Sequence, residues 1–306
     1  MGLEQAGFEH SALVELDPHC CATLRLNRPH WRVEQADLNG FDGREFRGKV
    51  DLIAGGVPCP PFSKAGKQLG ADDERNLFPA AIRMVSEVQP QAVMFENVRG
   101  LMDAVFRDYR DYIASQLGDM GYWTDWRLVH ANDFGVPQLR PRVIFVALRK
   151  GLEAYFQWPD ALQERAPTVG AALQDLMAER GWPGAKQWAA QANEIAPTLV
   201  GGSKKHGGPD LGPTRARAAW AKLGVEGKTL AAQAPDADFV GIPRLTVRMT
   251  ARIQGFPDSW QFSGAKTNAY RQVGNAFPPP VAKAVASQIR LALQAAQNQS
   301  ARRNAA

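Results

Sequence analysis

The feature that most restricts the fold of this sequence is the alternation, in its first half, of short apolar runs with segments of helical periodicity. Apolar runs at residues 12–16, 50–54, 92–95 and 142–148 predict four β-strands. Residues 79–88 predict a helix that begins at a proline, and apolar residues at helical spacing predict another over residues 106–120. Strands that alternate with helices are typical of βα units, so we expect an α/β fold with a mostly parallel sheet.

Polar or reactive residues stand at or just beyond the ends of several predicted strands. Glu15, Cys59 and Glu96 all occupy such positions. In open α/β sheets ligands bind beyond the carboxyl ends of the strands. We therefore expect these three side chains to converge on one crevice.

The character of the chain changes between residues 168 and 243. Apolar periodicity weakens there, and Gly, Pro, Lys, Arg and Trp become frequent, as in residues 201–208. We interpret residues 168–243 as a smaller second domain inserted between residues 1–167 and 244–306. A long insertion of surface loops is the alternative, although a structureless run of this length is unusual in a compact domain. Val281, Val285, Ile289 and Leu293 then predict an amphipathic C-terminal helix that packs on the first domain.

Composition restricts the compartment and the partner only loosely. Lys and Arg outnumber Asp and Glu by 36 to 31, for a net charge of +5, which suits a nucleic-acid partner without proving one. The sequence has no apolar run of the roughly 18 residues that a membrane helix needs, and no secretory signal at its start. Its three cysteines are too few for a disulfide framework, so we expect a protein of the reducing cytoplasm.

The most informative cysteine is Cys59, which lies between Pro58 and Pro60 just past a predicted strand. A free cysteine is usually a small buried hydrophobe, and we interpret Cys20 and Cys21 in that way. The rigid proline flanks and the strand-end position instead favour a reactive role for Cys59. Two further elements accompany it: Glu96 at the end of its strand, and Arg140 and Arg142, whose spacing of two makes them point the same way in an extended segment.

Together these elements resemble the DNA cytosine C5-methyltransferase family, in its bacterial restriction–modification type. Residues 245–248 and 252–258 are similar to the family motif that follows the target-recognition region, and residues 270–278 to its closing motif. The resemblance runs from residue 3 to about residue 290 in the order of the family. Any single motif is weak, but six in order are strong.

The resemblance implies a Rossmann-like methyltransferase sheet with a smaller, loop-rich target-recognition domain at residues 168–243. It also implies S-adenosyl-L-methionine as the cofactor. Glu15 then holds the ribose and Asp37 contacts the adenine amino group. The other residues implied at the cofactor site are Leu16, Pro58 and Asn275.

The resemblance further implies covalent catalysis on a cytosine flipped out of duplex DNA. The thiolate of Cys59 adds at C6, Glu96 stabilises the ring through N3, and Asn97 orients Glu96 or a neighbouring loop. Arg140 and Arg142 hold the cytosine O2 and an adjacent phosphate. The candidate DNA contacts are Ser63, Lys64 and Gln68 after the cysteine, and Lys204, Lys205, Arg215, Arg217 and Arg248 in and after the recognition region. For each lysine or arginine of the recognition region, a plain solvated surface position is an equally good interpretation.

In one respect the sequence departs from the family. Members begin with an apolar strand and a Phe-x-Gly-x-Gly loop, whereas residues 2–8 resemble the helix that follows that loop. We expect two strands to lack a partner as a result. Our hypothesis is that Met1 is a mis-assigned start and that the native protein is about 15 to 20 residues longer, the length of a strand and a loop. Alternatively, a separate chain supplies the missing piece.

Three other functions compete at this point. An RNA cytosine C5-methyltransferase shares the Cys and Glu motifs, and a non-catalytic DNA-binding remnant is consistent with the missing loop. A cysteine hydrolase needs a partner histidine, and none of the five histidines lies in a motif that supplies one. The compact length favours a bacterial modification enzyme that acts beside a cognate restriction endonuclease, with double-stranded DNA as its substrate.

Overall fold

The computed structural model describes residues 1–58, 76–201 and 208–304. The strands are β1 (Leu13–Glu15), β2 (Val33–Gln35), β3 (Leu52–Gly56), β4 (Ala92–Val98), β5 (Tyr122–His130) and β6 (Pro141–Arg149). The helices of the first half are α1 (Gly2–Gln5), α2 (Pro18–Asn27), α3 (Phe78–Val88) and α4 (Arg107–Asp119). Those of the second half are α5 (Val169–Ala178), α6 (Ala185–Gln191), α7 (Thr214–Lys222), α8 (Val247–Ile253), α9 (Lys266–Asn275) and α10 (Pro279–Asn304).

The strands form two sheets within these residues. One is the parallel pair β1–β2, and the other has the order β3–β4–β6–β5. Strands β3 and β4 are parallel, whereas β6 runs antiparallel to both of its neighbours. The sequence predicted four of the six strands and a mostly parallel sheet; the structure corrects this to a mixed sheet.

The two strands that the sequence missed have weak local signals. β2 has only three residues, too few to establish a period. β5 carries Asp125 and Arg127 near its centre and lies at the edge of the sheet, where one side of the backbone is not covered by another strand. Edge strands tolerate such charges, so the apolar alternation that marks a core strand is diluted there.

The predicted helices form for recognisable reasons. α3 has Pro79 in its first turn, where the missing N–H is not needed, and buries an apolar face that includes Ile82 and Val85. It ends at Gln89, which adopts the left-handed conformation with φ 54°. α4 buries Ile113 and Leu117 against the four-stranded sheet.

Burial differs sharply between the two central strands of the four-stranded sheet and the other strands. All but the ends of β4 and β6 are buried, with α3 and α4 on one face and α10 on the other. The residues of β1 are only half-buried, and β3 is half-buried or exposed throughout. Among the described residues, β1 pairs only with β2 and β3 only with β4. Each of these two strands thus has a partner on one side, and the expectation of a missing strand stays a prediction.

Residues 168–243 contain three helices, α5 to α7, rather than loops alone. Their buried side chains, such as Leu173 and Trp220, belong to the same hydrophobic cluster as Met249 and Tyr270 of α8 and α9. The region therefore shares its core with the chain that follows it. The C-terminal helix α10 buries Val281, Val285 and Ile289 against the four-stranded sheet, as the sequence predicted. None of the helices described here is long and apolar enough to span a membrane.

Candidate active site

Three predicted elements of the catalytic site meet at one edge of the four-stranded sheet. Gly56, at the end of β3, is the register partner of Glu96, and Val98, at the end of β4, is the partner of Arg142. Because β6 runs antiparallel to β4, its first residues lie beside the last residues of β4. The carboxyl ends of β3 and β4 and the start of β6 thus form a single edge that brings Glu96 and Arg142 together, whereas Glu15 lies on the two-stranded sheet. The predicted convergence of Glu15, Cys59 and Glu96 on one crevice stays a prediction.

Glu96 and Arg142 form a nearly buried ion pair. The Nε atom of Arg142 lies 2.8 Å from Oε1 of Glu96, and each side chain is only 12% exposed. Burial raises the pKa of the Glu96 carboxyl, although Arg142 and Arg140 oppose that shift. Burial lowers the pKa of Arg142 in turn. The carboxyl therefore lies beside a fixed cation in a buried setting that disfavours its own charge.

Asn97 ties the neighbouring strand to this edge. Its Nδ2 donates to the carbonyl of Val57 at 2.8 Å, and its Oδ1 accepts from the backbone N–H of Val98. Val57 and Pro58 lead directly to Cys59, so Asn97 holds the chain two residues before the predicted nucleophile. Cys59, Ser63, Lys64 and Gln68 lie outside the described residues.

The two arginines of the predicted pair have different surroundings. Arg142 faces Glu96, whereas Arg140 is 1% exposed. Arg140 Nη1 donates to the carbonyl of Leu199 at 2.7 Å, and Nη2 donates to the carbonyls of Gly274 at 2.7 Å and Ala276 at 3.2 Å. Desolvation by burial lowers the pKa of this guanidinium to about 9. The terminal nitrogens of Arg140 are buried and bonded to carbonyls, whereas its Nε atom is buried without a hydrogen-bond partner among the described residues. The two arginines thus have different partners, and the contact of each with a substrate stays a prediction.

Residues that the sequence did not single out complete this buried network. Gln138 is fully buried and accepts from the backbone N–H of Leu199 at 2.8 Å, while its Nε2 donates to Gln254 Oε1 at 2.7 Å. Gln254 donates to the carbonyl of Ala276. Gln138 stands two residues before Arg140 and Gln254 lies in the motif of residues 252–258, but neither position reveals the partners of the side chain.

The predicted cofactor residues lie at the ends of the two-stranded sheet. Glu15 is the last residue of β1, and its Oε1 accepts from the backbone N–H of Asp17 at 2.8 Å. Leu16, which follows it, is 62% exposed despite being apolar. Asp37 lies two residues beyond the end of β2, whose Gln35 is the register partner of Glu15. Both carboxylates therefore stand at the same edge with an open apolar side chain between them.

Pro58 and Asn275, which were also predicted to bind the cofactor, lie at the ends of other secondary-structure elements. Pro58 is exposed beyond β3, and Asn275 is exposed as the last residue of α9. Helix α9 is joined to α2, the helix after Glu15, by polar contacts. Thr23 donates to Gln272 at 2.6 Å, and His19 Nε2 lies 2.8 Å from Asn268 Nδ2.

The predicted DNA contacts are only partly described. Lys204 and Lys205 lie outside the described residues. Arg215 is exposed on α7, and Arg217 is half-buried on the same helix. Arg248 is half-exposed and pairs with Glu179 at 3.0 Å and with Asp258 at 2.7 Å. Asp258 also pairs with Arg252, and the contact of Arg248 with DNA stays a prediction.

The mixed sheet with helices on both faces is an α/β fold, and its polar edge carries the buried acid–arginine pair. The methyltransferase EhMeth of Entamoeba histolytica has this fold, with a TM-score of 0.64 at 12% identity over 96% of this chain and 94% of its own. The sequence matches the C-5 cytosine-specific DNA methylase family over residues 1–291. The chain belongs to that family, and it is a DNA cytosine-5 methyltransferase.

Two curated relatives are similar over most of the chain. The type II methyltransferase M.NaeI of Lentzea aerocolonigenes is 56% identical over 300 residues, which are 96% of this chain and 72% of that protein. The type II methyltransferase M.NgoMIV of Neisseria gonorrhoeae is 54% identical over 301 residues, which are 96% of this chain and 94% of that protein. The sequence expectations of family, fold class and activity are therefore confirmed.

Proposed function

We propose that the protein transfers a methyl group from S-adenosyl-L-methionine to C5 of a cytosine flipped out of one specific duplex DNA sequence. The observation that carries the proposal is the Glu96–Arg142 pair, buried at a strand edge beside the chain that leads to Cys59. A stacked base does not reach a site of this kind, so the cytosine has to leave the helix at a cost of a few kcal/mol.

Each catalytic role follows from the chemistry of the ring. Cytosine C5 is a poor nucleophile until the thiolate of Cys59 adds at C6 and makes C5 enamine-like. The ring nitrogen N3 gains electron density in that step, and a proton on Glu96 stabilises it. Arg142 provides a fixed donor for O2, and Asn97 keeps the segment before Cys59 in place. When the C5 proton leaves after methylation, the C6–S bond breaks and Cys59 is regenerated.

The cofactor residues fit the nucleoside end of S-adenosyl-L-methionine by their donor chemistry. A carboxylate such as Glu15 accepts two hydrogen bonds from a ribose diol, and Asp37 accepts from an exocyclic amino group. The exposed side chain of Leu16 offers an apolar surface to the purine between them. We assign Pro58 and Asn275 to the same site as the outer contacts. When bound, the cofactor supplies an electrophilic methyl group on a sulfonium.

The DNA partner and the biological setting complete the proposal. Arg215 and Arg217 of α7 are the described candidates for contacts to DNA, and Lys204 and Lys205 remain candidates from the sequence. Because both close relatives are named type II methyltransferases, we propose that the protein modifies the target of a cognate restriction endonuclease.

The test is covalent trapping on a randomised duplex library that contains 5-fluorocytosine, in the presence of S-adenosyl-L-methionine. Fluorine at C5 prevents the release of Cys59, so an enzyme that works in this way accumulates a stable protein–DNA adduct. We expect the adduct in the wild type and in a Cys20→Ser control, but not in Cys59→Ala. An adduct that survives in Cys59→Ala, or its absence from the wild type, would refute the proposal.

A further inference from the structure

A short stretch of the proposed recognition region, residues 196–201, contacts the chain that leads to the catalytic edge, and we call this stretch the docking segment. It runs beside residues 137–140, which lead directly into β6 and Arg142. The backbone N–H of Ala196 donates to the carbonyl of Pro137 at 3.0 Å, and that of Leu139 donates to the carbonyl of Ala196 at 2.7 Å. The two stretches are thus bridged in parallel, like an additional strand.

Side chains fasten the rest of the docking segment to the same residues. The hydroxyl of Thr198 donates to the carbonyl of Leu139. Leu199 is bound at both of its backbone groups, its N–H by Gln138 and its carbonyl by Arg140. Because Gln138 and Arg140 are buried, these bonds are shielded from competing water and define a single register.

At its end the docking segment crosses helix α9, and each of the two backbones has a glycine at the crossing. A Cβ atom on Gly274 would lie 2.3 Å from the backbone nitrogen of Gly201 and 2.4 Å from its Cα. A Cβ on Gly201 would lie 2.6 Å from the carbonyl oxygen of Arg271 and 2.4 Å from Oδ1 of Asn275. Favourable separations between carbon atoms begin at about 3.5 Å, so neither backbone accommodates even one methyl group here. Arg140 bonds the carbonyls on both sides of this crossing, at Leu199 and Gly274.

We propose that Gly201 is a positioning residue for sequence specificity in this reaction. Its missing side chain lets the docking segment seat on α9, and this contact sets the register of residues 168–243 against the Glu96–Arg142 pair. Bases next to the target are then read only when the flipped cytosine stands at the catalytic edge. A displacement of about 1 Å at the crossing moves residues 168–243 relative to the Glu96–Arg142 pair. Misplacements of this size lower reaction rates by up to roughly a hundredfold.

The proposal rests on the activity proposed above, and the trapping library separates the two. Wild type, Gly201→Ala and Gly274→Ala are incubated with saturating S-adenosyl-L-methionine, and the trapped DNA is sequenced. The wild-type adduct tests the activity, and the enrichment of its preferred sequence over single-base variants tests the positioning role. Gly118→Ala is the matched control, because a Cβ on Gly118 meets no atom within 4 Å.

We expect Gly201→Ala and Gly274→Ala to lower that enrichment at least tenfold, while Gly118→Ala stays within twofold of the wild type. Thr198→Val adds no atom to the crossing and removes only the bond to Leu139. It should fold like the wild type and lose enrichment by about two- to fivefold, so it tests the proposal even where a glycine variant does not fold. A purely structural role predicts a lower melting temperature with unchanged enrichment in the folded variants. That result, or an unchanged enrichment in Thr198→Val, would overturn the proposal.

Discussion

The two halves of the proposed reaction site are built differently. The catalytic edge at the ends of β3, β4 and β6 has a nearly buried ion pair, a buried arginine with three carbonyl partners and an asparagine that ties adjacent strands. The cofactor edge lies on a separate two-stranded sheet, in which β1 is half-buried, β2 runs from buried Val33 to exposed Gln35, and Leu16 and Asp37 are exposed. Among the described residues, the catalytic edge is therefore the more buried and the cofactor edge the more open.

This difference has a physical origin. Buried hydrogen bonds and ion pairs require every partner to be in place, because an unsatisfied buried group costs about 1–3 kcal/mol. A half-buried strand pair meets no such condition and tolerates local opening. We therefore expect substitutions at the catalytic edge to change chemistry or folding, and substitutions at the cofactor edge to change only the affinity for the cofactor.

The largest effect is expected from Glu96→Gln. The amide keeps the shape of the side chain but cannot share a proton with N3, so the single-turnover methylation rate should fall by about 10²–10⁴-fold. The affinity for S-adenosyl-L-methionine should change less than threefold, as measured by calorimetry. A rate within a factor of five of the wild type would show that the buried acid is not used in the chemistry.

A stability effect is expected next, from Arg140→Met. Methionine fills the space but leaves the buried carbonyls of Leu199 and Gly274 without their side-chain donor, which should destabilise the fold by about 3–5 kcal/mol. Thermal unfolding should show a fall in melting temperature of roughly 6–20 °C. Arg215→Met on exposed α7 is the control and should melt within 2 °C of the wild type. Equal melting temperatures for the two variants would contradict a buried structural role for Arg140.

A smaller effect is expected at the cofactor edge. Glu15→Gln weakens charge-assisted hydrogen bonds to the ribose, and the dissociation constant for S-adenosyl-L-methionine should rise by about 10- to 100-fold. At saturating cofactor the methylation rate should remain within threefold of the wild type. If the saturated rate fell as far as in Glu96→Gln, the separation of the two halves into binding and chemistry would be wrong.

Hydrogen exchange compares the cofactor edge with the catalytic edge without any mutation. Backbone amides of Leu13–Glu15 should exchange faster than those of residues 143–148 in β6, because β6 is paired on both sides and fully buried there. Added S-adenosyl-L-methionine should slow exchange in β1 more than in β6. Equal protection of the two strands in the free protein would show that the cofactor half is as rigid as the catalytic half.

The sequence alone determined which chemical groups are available. It placed Glu96 and Cys59 at the ends of apolar strands, and the order of the motifs identified the family before any coordinates were considered. Such information is local, because a strand period or a proline flank is complete within about ten residues.

The tertiary structure was needed to show which of these groups face the catalytic edge and which bond to buried backbone carbonyls. Arg140 and Arg142 are equivalent in the sequence pattern, yet one faces Glu96 and the other binds carbonyls 59 to 136 residues away along the chain. The antiparallel direction of β6, the partners of Gln138 and the crossing of Gly201 with Gly274 have the same origin. These features depend on contacts between residues that are far apart in the sequence. Such contacts form only when the whole chain has packed, because buried backbone groups then need partners.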